Sequence, residues 1–270
     1  RAWHWLFGQG IVTTVDNFGT TGEAPTHPEL LNHLAIRFHE MDWSVKDLVR
    51  EIATSRSYRM SSDFDKATFE KDPENKLVWR ANKRRLDAES IRDSILAVSR
   101  RLDLERPVGS LVSEVGDGFV GRNLSEDQLN AESNHRSVYL PVVRDLLPEV
   151  LNIFDFADPN LIAGMREVTT VPSQALYLMN SEFAIESAEA MAKWMVDDLE
   201  LKGPKLGWVA FHLAYSRPPT KEESRKTTAY IERFLETAEK GGMDKQKARY
   251  LALTTFCQSL FSSAEFRYLN

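Results

Sequence analysis

Apolar residues recur at helical spacing along most of the chain. One stripe lies within residues 30–38, and Ile91, Ile95, Val98 and Leu102 form another on a single helix face. Similar patterns predict helices over 173–178, 182–199, 205–214 and 244–262. We therefore predict an all-α or nearly all-α protein with about nine helices.

Local start and stop signals support these helices. Capping-box or N-cap patterns predict helix starts at Thr26, Ser44 and Thr220, and Gly8 predicts the end of a first short helix. The segment 137–143 carries β-branched and aromatic residues and is predicted as an extended strand.

One irregular, glycine-containing stretch interrupts the helical pattern between Pro107 and Asn134. We predict a helical N-terminal lobe over 1–104, an irregular connection or insertion over 105–135, and a helical C-terminal lobe over 136–270. A single domain containing both lobes is the alternative.

Composition narrows the function classes. A formal net charge of −6 argues against general nucleic-acid binding, which depends on neutralising phosphates. No apolar run is long enough for a membrane span. The first residue is Arg1 and apolar residues follow at once, so we expect a piece of a longer protein.

The loop that precedes the helix at residue 28 is the first candidate site. Its candidate residues are Asn17, Gly19, Gly22, Glu23 and His27. The glycines allow close approach of the backbone, the following helix N-terminus suits an anion, and Glu23 and His27 could act as acid and base. The alternative is that the glycines only make turns and His27 helps to cap the helix.

Arg136 and Arg166 are the candidate partners of this loop, and Tyr139 is a candidate apolar wall. We predict that a functional site, if present, lies where the loop meets one of these arginines. The competing prediction is that the arginines are internal ties to buried carboxylates such as Glu23, Asp155 or Asp158.

Other chemistry is not favoured by the sequence. His27, His33 and His39 lie six residues apart, on different helix faces, so no metal site is predicted. No nucleophile elbow, phosphate loop or zinc-protease motif occurs. Cys257 lies among apolar neighbours and is predicted as a core residue, and the chain has no CxxCH for covalent haem attachment.

Ordered motifs over nearly the whole chain resemble a known family. They are Arg1–Gly10, Pro25–Leu31, Asp42–Lys46, Arg84–Asp93, Arg136–Pro141, Phe154-Asp155, Thr169–Leu176, Arg217–Thr220 and Ser263–Phe266. The chain resembles the C-terminal domain of unknown function of large planctomycete-type proteins, in which a cytochrome c-like module and a second uncharacterised domain precede it.

The resemblance implies an exported protein, periplasmic or at the cell surface, whose partners are the other domains of the same polypeptide. Haem is expected only in the separate cytochrome module, with no cofactor in this chain. Polysaccharide is a possible further partner. The family supplies no catalytic residues to transfer.

Two functions follow. The first is a non-catalytic docking or ligand-binding module linked to a c-type cytochrome. The alternative is an enzyme that acts on polysaccharide through paired carboxylates. The sequence shows no strong catalytic constellation and therefore favours the first, while whether the chain is an enzyme stays open.

Overall fold

The structure, a computed structural model, describes residues 1–109, 125, 129, 133–201 and 203–269. It is nearly all-α, which confirms the predicted fold class. The chain forms two compact units. Unit 1 comprises 1–85, 163–165 and 268–270, and unit 2 comprises 86–162 and 166–267.

Unit 1 contains four of the described helices: α1 (Ala2–Phe7), α2 (Pro28–Glu40), α3 (Val45–Thr54) and α4 (Lys66–Phe69). A 3₁₀ turn covers Gly19–Thr21. Two short antiparallel strands, β1 (Arg84–Arg85) and β2 (Tyr268–Leu269), pair Arg84 with Leu269 and Arg85 with Tyr268.

The core of unit 1 is small and is centred on α1 and α3. Phe7, Leu48 and Ile52 are buried together, and Trp3 stacks on Phe7 with 4.0 Å between ring centroids. Gly8 adopts the left-handed conformation at φ +79° and ends α1, as predicted.

Unit 2 contains the remaining described helices: α5 (Ala88–Val98), α6 (Glu149–Ile153), α7 (Pro172–Asn180), α8 (Glu182–Lys193), α9 (Pro204–Tyr215), α10 (Lys221–Lys240), α11 (Lys245–Ser262) and α12 (Ala264–Arg267). A 3₁₀ turn covers Ser137–Tyr139, and a π-helical turn, Trp194–Asp198, extends α8.

The core of unit 2 lies where α11 packs against α7, α8 and α10. Its largest fully buried side chains include Phe154, Phe261 and Met191. Cys257 is fully buried in this core, as the sequence predicted, and burial raises the pKa of its thiol to about 12.

Two of the three predicted caps are confirmed. The hydroxyl of Ser44 accepts from the Asp47 N–H, and Thr220 forms a reciprocal capping box with Glu223. The prediction for Thr26 was wrong. His27 is the N-cap of α2, and the Thr26 hydroxyl donates instead to the Ile11 carbonyl.

The strand predicted over 137–143 was also wrong, since Ser137–Tyr139 forms a 3₁₀ turn. The Asp93 carboxylate accepts hydrogen bonds from the Ser137 N–H and hydroxyl, at 2.7 and 2.6 Å. These bonds hold the backbone in a turn, and local β-propensity does not overcome them.

The first passage of the chain from unit 1 to unit 2 lies between Arg85 and Leu86. The sequence analysis placed the boundary between lobes at residue 104 and a connection over 105–135. Most of that connection lies outside the described residues, so its character stays a prediction.

Candidate functional site

The predicted loop of unit 1 is held together by its own polar groups. The Asn17 amide donates to the Thr21 carbonyl at 3.0 Å, and the Thr21 hydroxyl donates back to Asn17 at 2.8 Å. The Thr14 hydroxyl accepts from the Glu23 N–H at 3.0 Å, and the Thr13 hydroxyl donates to the Glu23 carboxylate. Asn17 and Glu23 therefore stabilise the loop itself.

The two loop glycines have steric roles. Gly19 has φ +84°, a conformation that strains residues with a Cβ. At Gly22 an added Cβ would lie 2.0 Å from the Asn17 carbonyl oxygen, so the backbone passes too close for any side chain. Both glycines are explained by the turn geometry alone.

The cavity beside the His27 side chain is very small. The His27 Nδ1 lies 2.9 Å from the Thr26 hydroxyl, and the cavity, between Trp3 and Asn75, measures about 10 Å³. That volume holds at most a single water molecule, at roughly 10–15 Å³. Within unit 1, turn geometry explains the two glycines, whereas His27 is the N-cap of α2 without a side-chain cap hydrogen bond.

Arg166, in unit 2, is a structural tie. Its guanidinium donates to both carboxylate oxygens of Glu89, at 2.6 and 2.9 Å, and lies 4.6 Å from the centroid of the Phe156 ring. The hydrogen bonds to Glu89 raise the pKa of Arg166. The partner is Glu89, not one of the carboxylates that the sequence analysis had suggested.

Arg136 precedes the 3₁₀ turn of unit 2, and Tyr139 is the last residue of that turn. The side chain of Arg136 is 53% exposed, and its Nε lies 3.9 Å from the Asp93 carboxylate. Tyr139 is half-buried at the end of the turn. The loop belongs to unit 1, whereas Tyr139 and both arginines belong to unit 2. Their convergence on one ligand stays a prediction.

Unit 2 contains a cleft of about 730 Å³ that the sequence analysis did not identify. Residues of α5, α6, α7 and α8 contribute to its walls. The polar and charged residues that line it are Arg92, Arg101, Ser133, Asn134, Glu149, Ser173, Tyr177, Asn180, Ser181, Glu182 and Glu186. Its size falls within the range of roughly 300–1,000 Å³ typical of small-molecule sites.

Arg92 lines the cleft as a buried cation, with an exposed fraction of only 4%. Its Nη1 donates to the His135 carbonyl at 2.9 Å and to the Ser137 hydroxyl at 3.2 Å, and its Nη2 donates to the Ser133 carbonyl. Burial lowers the pKa of Arg92, and Asp93, 3.7 Å away, opposes that effect. The guanidinium nevertheless stays charged.

Arg101 forms hydrogen bonds to α8 at one wall of the cleft. Its Nη2 donates to the Glu186 carboxylate at 3.1 Å, and its Nη1 donates to the Ser187 hydroxyl at 3.2 Å. The positive charge of Arg101 is thus balanced by a carboxylate of the same wall.

Tyr177 and Asn134 supply groups suited to a polar ligand. Burial raises the pKa of the Tyr177 phenol to about 12, and the nearby Glu149 carboxylate adds to the shift, so the phenol stays protonated as a donor. The side-chain oxygen of Asn134 is buried without a hydrogen-bond partner among the described residues. Such orphaned acceptors are uncommon in folded proteins.

The arrangement suits binding of a neutral, polar molecule. Two guanidinium groups and three carboxylates line the cleft, so its walls carry no excess positive charge for an anion. Phe183, Leu176 and Ile153 add apolar surface beside these polar groups. Within the described residues, no three His, Cys, Asp or Glu side chains are grouped to hold a metal ion.

A signal for this cleft is present in the sequence. Arg92 follows Ile91 directly on α5 and lies on the face that also buries Ala88 and Ile95. An arginine inside an apolar stripe requires internal acceptors, because burying an unpaired charge is costly. The acceptors lie 41 to 45 residues away in sequence, so the pattern alone does not locate them.

Comparison with known families gives one match. The model of the PSD1 family, described as "Protein of unknown function (DUF1553)", matches residues 1–231. The chain belongs to this family. The PSD1 match includes all of the cleft residues and ends within α10. No curated protein and no solved structure matches the chain.

Among the helices that the structure describes, none is both long and apolar enough to cross a membrane. This finding agrees with the sequence analysis, which identified no membrane-spanning run.

Proposed function

We propose that this chain is a non-catalytic ligand-binding domain and that the cleft of unit 2 binds a neutral, polyhydroxylated ligand such as a segment of polysaccharide. The observation that carries the proposal is the cleft itself: about 730 Å³, walls of mixed donors and acceptors, and the orphaned oxygen of Asn134. Buried polar groups of this kind orient a ligand and provide specificity.

The charge of the walls favours a neutral ligand over an anionic one. Arg101 is paired with Glu186, while Arg92 is bonded to carbonyl groups and lies near Asp93. Glu149 adds a further carboxylate to the lining. A sulfated or phosphorylated ligand would meet this negative charge, whereas sugar hydroxyls both donate to carboxylates and accept from the Tyr177 phenol.

The wider setting of the proposal comes from the family resemblance. We propose that the domain is part of an exported modular protein, periplasmic or at the cell surface, that also carries a c-type cytochrome module. Haem then belongs to that separate module. The domain's role is to bring a polysaccharide to the protein or to dock against its neighbouring domains.

The test is a calorimetric titration of the full chain with neutral oligosaccharides and with sulfated oligosaccharides of matched length. The proposal predicts saturable binding of at least one neutral oligosaccharide and weaker binding of its sulfated counterpart. Preference for the sulfated ligand, or no binding across a broad neutral panel, overturns the proposal.

A steric variant links binding to the cleft. Leu176 lines the cleft and is 58% exposed, so Leu176→Trp places a ring in the cleft without disturbing the core. Met179, on the same helix and 59% exposed, does not line the cleft. Met179→Trp is therefore the matched control. We expect Leu176→Trp to abolish binding and Met179→Trp to retain it.

The same samples test the enzymatic alternative. Glu149, Glu182 and Glu186 place three carboxylates in one cleft, and paired carboxylates are the groups used in glycoside hydrolysis. We expect chromatography of the incubated oligosaccharides to show no shortened products. Products that disappear with Leu176→Trp but persist with Met179→Trp would overturn the non-catalytic proposal in favour of hydrolysis.

A further inference from the structure

A second cavity in unit 2 is separate from the cleft and has a different character. It measures about 350 Å³ and is enclosed by the first turn of α9, one face of α10, and α11. Its apolar lining includes Leu206, Ile231, Leu235 and Leu253. The volume lies near the lower end of the range of roughly 300–1,000 Å³ for small-molecule sites, so the cavity suits a compact ligand.

One hydroxyl that lines this cavity has no partner among the described residues. Thr227 is 8% exposed, and its hydroxyl makes no hydrogen bond to any residue that the structure describes. On one side the residue packs tightly, because a Cβ on Gly207 would lie 3.1 Å from the Thr227 Cγ2. The hydroxyl is therefore available to donate to a ligand inside the cavity.

One cationic group also lines the cavity. The Nη2 of Arg249 donates to the Leu201 carbonyl at 2.7 Å, and no carboxylate among the described residues forms an ion pair with it. The backbone bond fixes the position of the guanidinium. Glu232, a carboxylate that also lines the cavity, forms no ion pair with it among the described residues. Planar guanidinium groups favour carboxylate partners, with which they form charge-assisted hydrogen bonds.

We propose that this cavity binds a small amphipathic carboxylate, with an apolar chain of medium length among Leu206, Leu235 and Leu253. The ligand carboxylate contacts Arg249 and accepts from the Thr227 hydroxyl. Enclosed leucine and isoleucine side chains favour the hydrocarbon chain, since its transfer from water is favourable in proportion to the apolar area buried. This inference does not depend on the function proposed for the cleft.

The probe for the test is octanoate, titrated into the full chain by calorimetry and by methyl NMR. The proposal predicts saturable binding, with chemical-shift changes at the Leu235 and Leu253 methyl groups. Octanol, which has the same chain length without the charge, should bind more weakly. Absence of saturable octanoate binding to the unmodified chain overturns the proposal without the need for a variant.

Two variants test the two parts of the site. Arg249→Gln removes the charge from this wall of the cavity, and we expect octanoate affinity to fall about tenfold with little change for octanol. Arg233→Gln, on an exposed position of α10 outside the cavity, is the matched control and should bind like the unmodified chain. Equal octanoate affinity of Arg249→Gln and Arg233→Gln overturns the carboxylate contact.

Thr228→Leu fills part of the cavity from α10 and should weaken octanoate and octanol alike. Circular dichroism of each variant checks that the helices are retained. If Thr228→Leu is folded and binds both probes like the unmodified chain, the ligand does not occupy this cavity and the proposal is overturned.

Discussion

Arg217 binds two carboxylates of unit 2 at once, and neutralising one of them should weaken the fold in a pH-dependent way. Its Nη1 and Nη2 donate to Glu223 at 2.9 and 2.8 Å, and its Nε and Nη2 donate to Glu265 at 2.6 and 2.7 Å. Glu223 lies in the first turn of α10 and Glu265 lies on α12. The guanidinium therefore joins the two helices.

The size of the effect follows from the Glu223 carboxyl. Hydrogen bonds from Arg217 lower its pKa from 4.5 to about 2, and a tenfold change in proton affinity is worth about 1.4 kcal/mol. The full shift thus sets a ceiling of about 3.4 kcal/mol. Because the Glu223 side chain is 31% exposed and solvent screens the pair, we expect Glu223→Gln to cost about 1–2 kcal/mol at pH 7.

The pH dependence has a defined sign. The folded state lowers the pKa of Glu223, so its ionised form contributes stability above the ordinary pKa of 4.5 and loses that contribution as the pH falls towards about 2. Urea unfolding of the unmodified chain and of Glu223→Gln at a series of pH values measures this directly. The difference in free energy of unfolding should be largest near neutral pH and shrink through the acid range.

Glu222→Gln is the matched control for this prediction. Glu222 is the adjacent residue on α10 but is 67% exposed and pairs only with Lys226 at 2.8 Å. Its replacement should leave unfolding unchanged within error. The reasoning is refuted if Glu223→Gln is as stable as the control at pH 7, or if its deficit is the same at pH 7 and pH 3.

Two further predictions concern the loop of unit 1 and the core of unit 2. Gly22→Ala should destabilise unit 1 by about 1–3 kcal/mol, because the added Cβ would overlap the Asn17 carbonyl oxygen. Urea unfolding measures the loss, and amide exchange of residues 13–23 measures it if the opening is local. No change in either measurement would contradict the prediction. Cys257 should not react with a thiol reagent at pH 8 unless the protein unfolds, because the buried thiol has a pKa of about 12; prompt labelling of the native chain would contradict its position in the core.

Sequence reasoning succeeded where the determining interactions are local. Ser44 and Thr220 each bond a backbone N–H three residues ahead, and a pattern of that length is visible in the sequence. The prediction for Thr26 was wrong because its hydroxyl donates to the carbonyl of Ile11, 15 residues earlier. The short pattern was the same, and only the tertiary partner differed.

The cleft was not predictable for the same reason. Arg92, Arg101 and Tyr177 are spread over three segments of the chain, and no short sequence pattern connects them. The sequence pointed instead to the Asn17–Glu29 loop, because its glycines and polar residues are also the residue types that turns require. Within unit 1 those residues are used for the turn itself.

Several motifs that carry the family resemblance pair with one another inside unit 2. Glu89 binds Arg166 next to the Thr169–Leu176 motif, Arg217 binds Glu265, and Asp155 accepts from the Thr169 N–H at 2.8 Å.

An ion pair or hydrogen bond of this kind constrains both residues whether or not a ligand is bound, because removing one partner leaves the other charge or polar group unsatisfied. These motifs therefore indicate which contacts stabilise the fold, not which ligand is bound. Arg92 and Leu176 line the cleft from within the motif segments, whereas Arg101, Glu149 and Tyr177 line it from outside them. Substitutions of the cleft residues outside the motifs therefore test ligand binding without removing a contact between motifs, and they are more informative about function than substitutions in the motifs.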